Sequence, residues 1–434
     1  MLELYKKSIL WLVVILSVSI IFKSNCIDSF NRVNDFQYDS EDLAIGAIAA
    51  QHYHVKSGWQ GLGRLLAPGY KWGSERIYLE NRQSNKGLSY SKYSSQIGLQ
   101  GLVYSKIGSY VYSKTLINTF RNINCFFLSI ILVFLLYLLK VKYGNLFAVI
   151  WGCGFIFSPW IVNFAPNLYW VEFTWFIPML IGLIAVSEII VFKYKNWILT
   201  LLIFISVSIK SACGYEYLST ILIGMILFPL TELLMAYFVR KDHDKVRNCI
   251  KVLVSFSISA VLAFCFIISV HGYLRGNGNI FLGVKSIYQQ DVLRRTSLGN
   301  QYNFTNSNIK TMESINTTIG FVLNKYFDFY SNKYQSNIVL GLDGRYFKAM
   351  SVLAICLLLL RYRKSNYLLI FKDEHFYILL ISLISTLSWL VLAKSHSYIH
   401  VHMNYVLWYF GYVQICLFII VHDSLWHLKN YCKN

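Results

Sequence analysis

Apolar residues in this chain fall in long continuous runs, not in the spaced stripes of a half-buried soluble helix. The runs cover residues 8–22, 124–139, 145–163, 171–192, 197–209, 218–239, 250–270, 347–360, 376–393 and 403–421. A bilayer-spanning helix takes roughly 20 apolar residues, about 17 to 25, so the pattern predicts ten spans, with 197–209 the short one. The predicted class is an all-α polytopic membrane protein. Its expected organisation is a first span within 1–23, an outer loop over 24–123, and spans two to seven over 124–270. A second long outer loop follows over 271–346, then three spans and a cytoplasmic tail over 347–434.

Composition agrees with a lipid solvent. Of the 434 residues 56% are hydrophobic and 14% charged, against about 25% charged in soluble domains. A soluble globular enzyme and a disordered chain are both excluded, and five prolines leave little room for an extended linker. The formal charge of +19 would suit nucleic acid if read without position, but the basic residues flank apolar runs, so no nucleic-acid partner is expected. Lys6 and Lys7 precede the first run. Lys140 and Lys142, Lys193 and Lys195, Arg240, Lys241, Lys245 and Arg247, then Arg361, Arg363, Lys364 and Lys372 fall in alternate connections, and Lys429 and Lys433 close the chain. With positive charge inside, the N-terminus is cytoplasmic and both long loops face out. Nine cysteines form no CxxC pair and read as small core residues.

Chemistry concentrates on the outer side. The first outer loop opens with Asp35, Asp39, Ser40, Glu41 and Asp42 ahead of a small, apolar stretch. Asp39 could cap a helix there, with Glu41 and Asp42 set against its dipole. The alternative is a carboxylate that removes a proton from an attacking hydroxyl, with Asp39 and Asp42 the first candidates. After the third span come Asn163, Phe164, Pro166, Asn167, Tyr169 and Trp170, whose aromatics suit an interfacial belt, and then Glu172. An ionisable group at such a depth is costly unless paired or wet. Lys210 and Glu216 stand six apart and could pair with each other. The last outer turn holds Lys394, His396, His400 and His402. No single regular conformation aims all three imidazoles together, so interfacial hydrogen bonding outranks a metal, and a phosphate-facing role for Lys394 with one of these histidines is the sharper hypothesis. His271 and Arg275 fall at the same level, whereas Glu188 and Glu232 lie inward and read as packing or snorkelling acids.

A cytoplasmic N-terminus, one span, a long outer loop opening on acids, and many further spans resemble the GT-C glycosyltransferases, which use polyprenyl-phosphate-linked sugars. The stretches YSSQIGLQG (93–101), KSACGYEY (210–217) and KSHSYIH (394–400) are similar to segments of bacterial surface-polysaccharide membrane proteins, including serotype-modifying glucosyltransferase-like ones. The resemblance implies a base among Asp39, Glu41 and Asp42, although this chain spaces its acids as Asp-Ser-Glu-Asp where the family often shows an adjacent pair. It further implies an inverting displacement at a lipid-linked sugar, with a glycan or glycolipid as acceptor. Lys210, Arg275, Lys394 and His396 would form the donor-phosphate cradle, with Glu172, Glu216 and His400 as further site candidates. No cofactor or metal is implied. The expected location is a bacterial inner membrane, with the active site toward the periplasm.

Three rivals remain. A flippase or transporter of lipid-linked sugars would want charged residues along a path through both leaflets and matched broken helices. An O-antigen-type polymerase is loosely suggested by Arg76 and Gly87 in a long outer loop. The third is a non-enzymatic assembly protein. Trp59, Trp72 and Tyr78 could stack on sugars or merely pack the loop, and the Asn303 and Asn316 sequons leave the compartment open.

Overall fold

The computed structural model describes residues 2–24, 37–69, 73–81, 84–187, 196–296, 317–328, 344–363 and 366–431. Asp35, Trp72, Glu188, Lys193, Lys195, Asn303, Asn316, Lys364 and Lys433 lie outside the described residues. The protein is an all-α helical bundle, and among the described residues its sheet is a single antiparallel pair.

Among the described residues five helices are long and apolar enough to cross a bilayer. They are Leu116–Tyr143, Asn196–Cys213, Leu218–Arg240, His243–Arg275 and Glu374–Leu392. These occupy the second, fifth, sixth, seventh and ninth predicted segments. Ile9–Ser24, Asn145–Ile156 and Phe173–Val186 are shorter apolar helices. The eighth and tenth segments correspond to Gly344–Tyr362 and Tyr412–Tyr431, which fall outside the five.

In chain order the helices are α1 (Leu2–Ser24), α2 (Tyr38–His52), α3 (Ser74–Glu80), α4 (Leu99–Gly108), α5 (Leu116–Tyr143), α6 (Asn145–Ile156), α7 (Pro159–Phe164), α8 (Phe173–Val186), α9 (Asn196–Cys213), α10 (Leu218–Leu234) and α11 (His243–Arg275). Then come α12 (Ile280–Ile287), α13 (Leu293–Thr296), α14 (Ile319–Asp328), α15 (Gly344–Tyr362), α16 (Glu374–Leu392), α17 (Lys394–Ile399), α18 (Val401–Asn404) and α19 (Tyr412–Tyr431). Strands β1 (Gly63–Leu66) and β2 (Ser89–Lys92) pair in the first loop.

Local chemistry explains where the boundaries depart from expectation. The run 145–163 is two helices, because the Ser158 hydroxyl accepts from the Ile161 N–H and Pro159 takes the first position of a new helix. The last predicted span begins instead as a tight turn, Tyr405–Tyr409, and its helix starts only after Gly411, whose φ of +108° glycine tolerates. Within the first loop the Leu99–Gly108 segment forms the short helix α4. Asp242 caps α11 by accepting from the Lys245 N–H at 2.9 Å.

The first loop docks on the bundle instead of floating above it. Helix α2 lies against β1 so closely that a Cβ on Gly46 would sit 2.0 Å from the Gly63 carbonyl oxygen. Gln96 and Gln100 donate to the Cys213 carbonyl at the end of α9, at 2.9 and 3.0 Å, and Gln100 also donates to the Tyr169 carbonyl at 2.7 Å. Arg121 on α5 ties α2 to α3. Its guanidinium donates to Glu41 at 3.1 and 2.8 Å and to Glu75 at 3.0 and 3.0 Å.

A second polar cluster marks the connections assigned to the inner side. Glu232, 1% exposed, meets Lys142 at 2.8 Å, Arg240 at 2.6 Å and Lys245 at 3.0 Å. The sequence reading makes it a packing or snorkelling acid, and it is instead the shared anion of three cations. In a later connection assigned to that side, Arg361 bridges Asp373 at 3.2 Å and Asp423 at 3.3 Å.

Candidate functional site

The connections assigned to the outer side converge on one cavity of ≈ 290 Å3. Four segments far apart in sequence build it: the start of α2, the turn before α8, the turn between α9 and α10, and the turn after α16, with α13 closing one wall. Asp39 and Ser40 come from α2, Tyr169 and Trp170 from the second segment, and Glu216 from the third. His396 and His400 come from the fourth, Arg294 and Arg295 from α13, and Arg64 from β1.

Four of the ten site residues expected from sequence therefore share this cavity: Asp39, Glu216, His396 and His400. Asp39 sits one residue inside α2, where Gln37 occupies the cap position without a side-chain capping bond, so Asp39 is not the cap. Its carboxylate is exposed and makes no hydrogen bond or ion pair with the described residues. It is the acid in the α2 start that is left open to the cavity.

The other acids of that stretch are committed elsewhere. Glu41 is 2% exposed, and besides Arg121 it accepts from the Leu168 N–H at 3.1 Å. That carboxylate stitches α2, α5 and the turn before α8 together. Asp42 is 1% exposed and accepts from the Ser74 N–H at 2.8 Å, with Arg64 at 3.7 Å. Burial pushes its carboxyl above the usual range, against the opposing pull of Ser74 and Arg64. Neither acid is among the cavity-lining residues.

Lys210, Arg275 and Lys394 do not line the cavity either. Lys210 is buried, and its ammonium donates to the Gly214 carbonyl at 2.6 Å, so it closes its own helix end and does not pair with Glu216. Arg275 is bound to Asp291, Gln290, Ser286 and the Ser94 carbonyl. Lys394 is half-buried at the first position of α17. Glu172 is fully buried two residues past Trp170, and neither of its oxygens has a hydrogen-bond partner among the described residues. Among the described residues the cations that do face the cavity are Arg64, Arg294 and Arg295, which sequence reasoning did not single out.

Glu216 accepts from Arg295 at 3.1 Å and from the Tyr169 hydroxyl at 3.5 Å. Burial, followed by the Glu216 charge, raises the Tyr169 phenol well above its ordinary value, so it stays a donor at neutral pH. His396 and His400 lie with ring centroids 4.6 Å apart. Burial lowers the His396 pKa well below its ordinary value, with His400, Arg295 and Arg294 adding to the effect. Burial also lowers His400, against the attraction of Asp39. His396 is therefore a neutral imidazole at pH 7 and not the phosphate cation expected from sequence.

The cavity floor is aromatic. Trp170 stacks on Tyr217 with centroids 5.6 Å apart and planes 14° apart. Phe164, Tyr169 and Trp170 are all within 6% exposure, so they form buried packing and not an interfacial belt. Three non-glycine residues in the segments that build the cavity hold left-handed backbone: Gln37 at φ +60°, Val171 at +47° and Tyr217 at +63°. For a β-branched valine this conformation is an outlier, costing on the order of 1–2 kcal/mol. Such strain persists where surrounding contacts over-determine the chain, and here it flanks Asp39, Trp170 and Glu216.

Of the remaining sequence candidates, Trp59 packs its ring against His271 at 5.7 Å and Tyr78 joins a cluster with His52 and Tyr112. Arg76 is exposed and pairs with Glu80 at 3.4 Å. Among the described residues no group of His, Cys, Asp and Glu could hold a metal ion.

Compared with protein families, with curated proteins and with solved structures, the chain finds no match.

Proposed function

We propose that this protein is an integral membrane glycosyltransferase that moves a sugar from a polyprenyl-phosphate carrier to a glycan or glycolipid acceptor. One observation carries the reading. A carboxylate without a partner among the described residues, Asp39, shares a cavity with the guanidiniums of Arg294, Arg295 and Arg64, at one end of an apolar helical bundle.

A displacement at a lipid-linked sugar needs these two halves. Asp39 takes the proton from the acceptor hydroxyl as its oxygen bonds to the anomeric carbon. The bond from that carbon to the carrier's phosphate oxygen breaks, and its electron pair leaves on the phosphate. Arg294 and Arg295 then stabilise the charge that collects there. Attack from the face opposite the departing phosphate inverts the anomeric centre. The neutral imidazoles of His396 and His400 and the Tyr169 hydroxyl provide hydrogen bonds without adding net charge. A membrane-level cavity suits a headgroup whose lipid tail stays in the bilayer.

In this reading all ten apolar segments lie in the membrane in a GT-C-like arrangement. The protein sits in a bacterial inner membrane, with the cavity facing the periplasm and serving cell-envelope glycans such as those of lipopolysaccharide and O-antigen. The test is to incubate membranes containing the protein with a panel of polyprenyl-phosphate sugars and acceptor glycolipid. Donor-dependent glycosylation of the acceptor supports the reading. Donor-independent movement of glycolipid between leaflets, without transfer, would replace it with a flippase.

A further inference from the structure

Arg275 has the sequence signature of a ligand cation, yet its guanidinium is spent inside the protein. Nε donates to the Ser286 hydroxyl at 3.1 Å, Nη1 to the Ser94 carbonyl at 3.1 Å and to Asp291 Oδ2, and Nη2 to Gln290 Oε1. These acceptors belong to α12, to the turn Tyr288–Val292 that follows it, and to the first outer loop. One side chain thus fastens the second long loop onto the first. His271, a turn earlier on α11, meets the same Ser94 carbonyl at 3.1 Å and the Tyr215 hydroxyl at 3.0 Å, next to Glu216.

The decisive group is Asp291. Its side chain is 8% exposed, as is that of Arg275, and the two are in direct contact. Its other oxygen stands 3.7 Å from Arg294, whose side chain is 46% exposed and lines the cavity. Asp291 is therefore placed between two guanidiniums, held tightly by the buried one and loosely by the exposed one. Attraction falls with distance and with solvent exposure, so the buried partner claims most of the carboxylate's charge.

From this arrangement we propose that Arg275 is a positioning residue. By occupying Asp291 it leaves Arg294 available to a phosphate-class anion in the cavity. Without Arg275, Asp291 is a buried carboxylate stripped of its main partner, a costly state that the nearest cation relieves. Among the described residues that cation is Arg294. It turns onto Asp291 and away from the cavity. Removing the Asp291 charge as well frees Arg294 again. The inference rests on the anion-binding half of the proposed function and is indifferent to whether sugar transfer follows.

The test uses the full chain in nanodiscs of zwitterionic lipid, with inorganic phosphate as the probe, titrated by calorimetry. Arg275→Met is expected to weaken phosphate binding about tenfold, as removal of one charge-assisted hydrogen bond to the anion does. Arg275→Lys retains most of the affinity. Asp291→Asn binds at least as tightly as wild type, and Arg275→Met combined with Asp291→Asn returns to within about twofold of Asp291→Asn alone. A merely structural role predicts no such rescue, because the double variant gives up more native hydrogen bonds than either single one. The proposal is overturned if Arg275→Met binds phosphate like wild type, if the double variant stays as weak as Arg275→Met, or if Asp291→Asn itself weakens binding. Where Arg275→Met fails to fold, the double variant measured against Asp291→Asn carries the test, and weaker binding by Asp291→Asn alone still overturns the proposal. Absence of saturable phosphate binding by wild type would overturn both this inference and the anion-binding half of the function. Intact phosphate binding without sugar transfer would count against the transferase alone.

Discussion

Arg121→Met should destabilise the end of the bundle on which α2 and α3 pack. Arg121 has a side chain 3% exposed and holds two carboxylates at once, Glu41 at 2.8 Å and Glu75 at 3.0 Å. The two acids are not equally stranded by its loss. The Glu75 side chain is 18% exposed and can recruit water, whereas the Glu41 side chain is 3% exposed and keeps only the Leu168 N–H. Breaking a buried pair by removing one partner costs about 3–5 kcal/mol, most of it from the charge left behind. Neutralising that charge should recover much of the loss, so Arg121→Met with Glu41→Gln is expected to be at least about 1.5 kcal/mol more stable than Arg121→Met alone. The assay is unfolding in detergent micelles followed by alkylation of the buried thiols, of which Cys125 lies one turn along the same helix. A cost under about 1 kcal/mol for the single variant, or a double variant less stable than the single, would refute the reasoning.

Two further outcomes follow from the same contacts. His396 and His400 have folded-state pKa values lowered by burial, so on acidification the unfolded chain binds protons first. Their stability contribution is full above about pH 6.5 and is lost as pH falls from there toward the folded values. Unfolding midpoints measured from pH 8 to pH 5 should decline through this window, and the decline should shrink in His396→Gln; equal slopes would contradict the assignment. At the other end, Glu232→Gln leaves Lys142, Arg240 and Lys245 without their shared anion. The side chains of those cations are 16%, 41% and 32% exposed and can recruit water, so a loss of only about 1 kcal/mol in the same alkylation assay is expected, and a loss above about 3 kcal/mol would contradict this reading.

Much of the class is legible in the linear pattern, because a lipid solvent imposes a length and a purity on each apolar run. The runs 124–139, 197–209, 218–239 and 250–270 fall within helices able to span a bilayer, and 376–393 overruns its helix by one residue. Segment 145–163 misleads because its hydropathy is continuous while its backbone chemistry is not: Ser158 and Pro159 restart the helix inside an apolar run. Asp39, Glu216, His396 and His400 are visible as ionisable groups next to spans. The neighbours that set their behaviour are not. Arg294 and Arg295 lie in a long loop where basic residues are common, and nothing local distinguishes them from Arg275, which faces inward. Glu41 and Asp42 differ from Asp39 only in what the fold places against them. Arg121 lies 80 residues beyond Glu41, a separation no local pattern spans.

The most direct test of the central claim compares sugar transfer by wild type, Asp39→Asn and Asp42→Asn in membranes, at matched protein levels and with saturating lipid-phosphate sugar. Loss of a general base lowers the rate by about 10²–10⁴-fold, and the account predicts that fall for Asp39→Asn. For Asp42→Asn it predicts retention of most activity, because an amide oxygen there still accepts from the Ser74 N–H. Full transfer by Asp39→Asn, or abolition of transfer by Asp42→Asn in a folded protein, would contradict it.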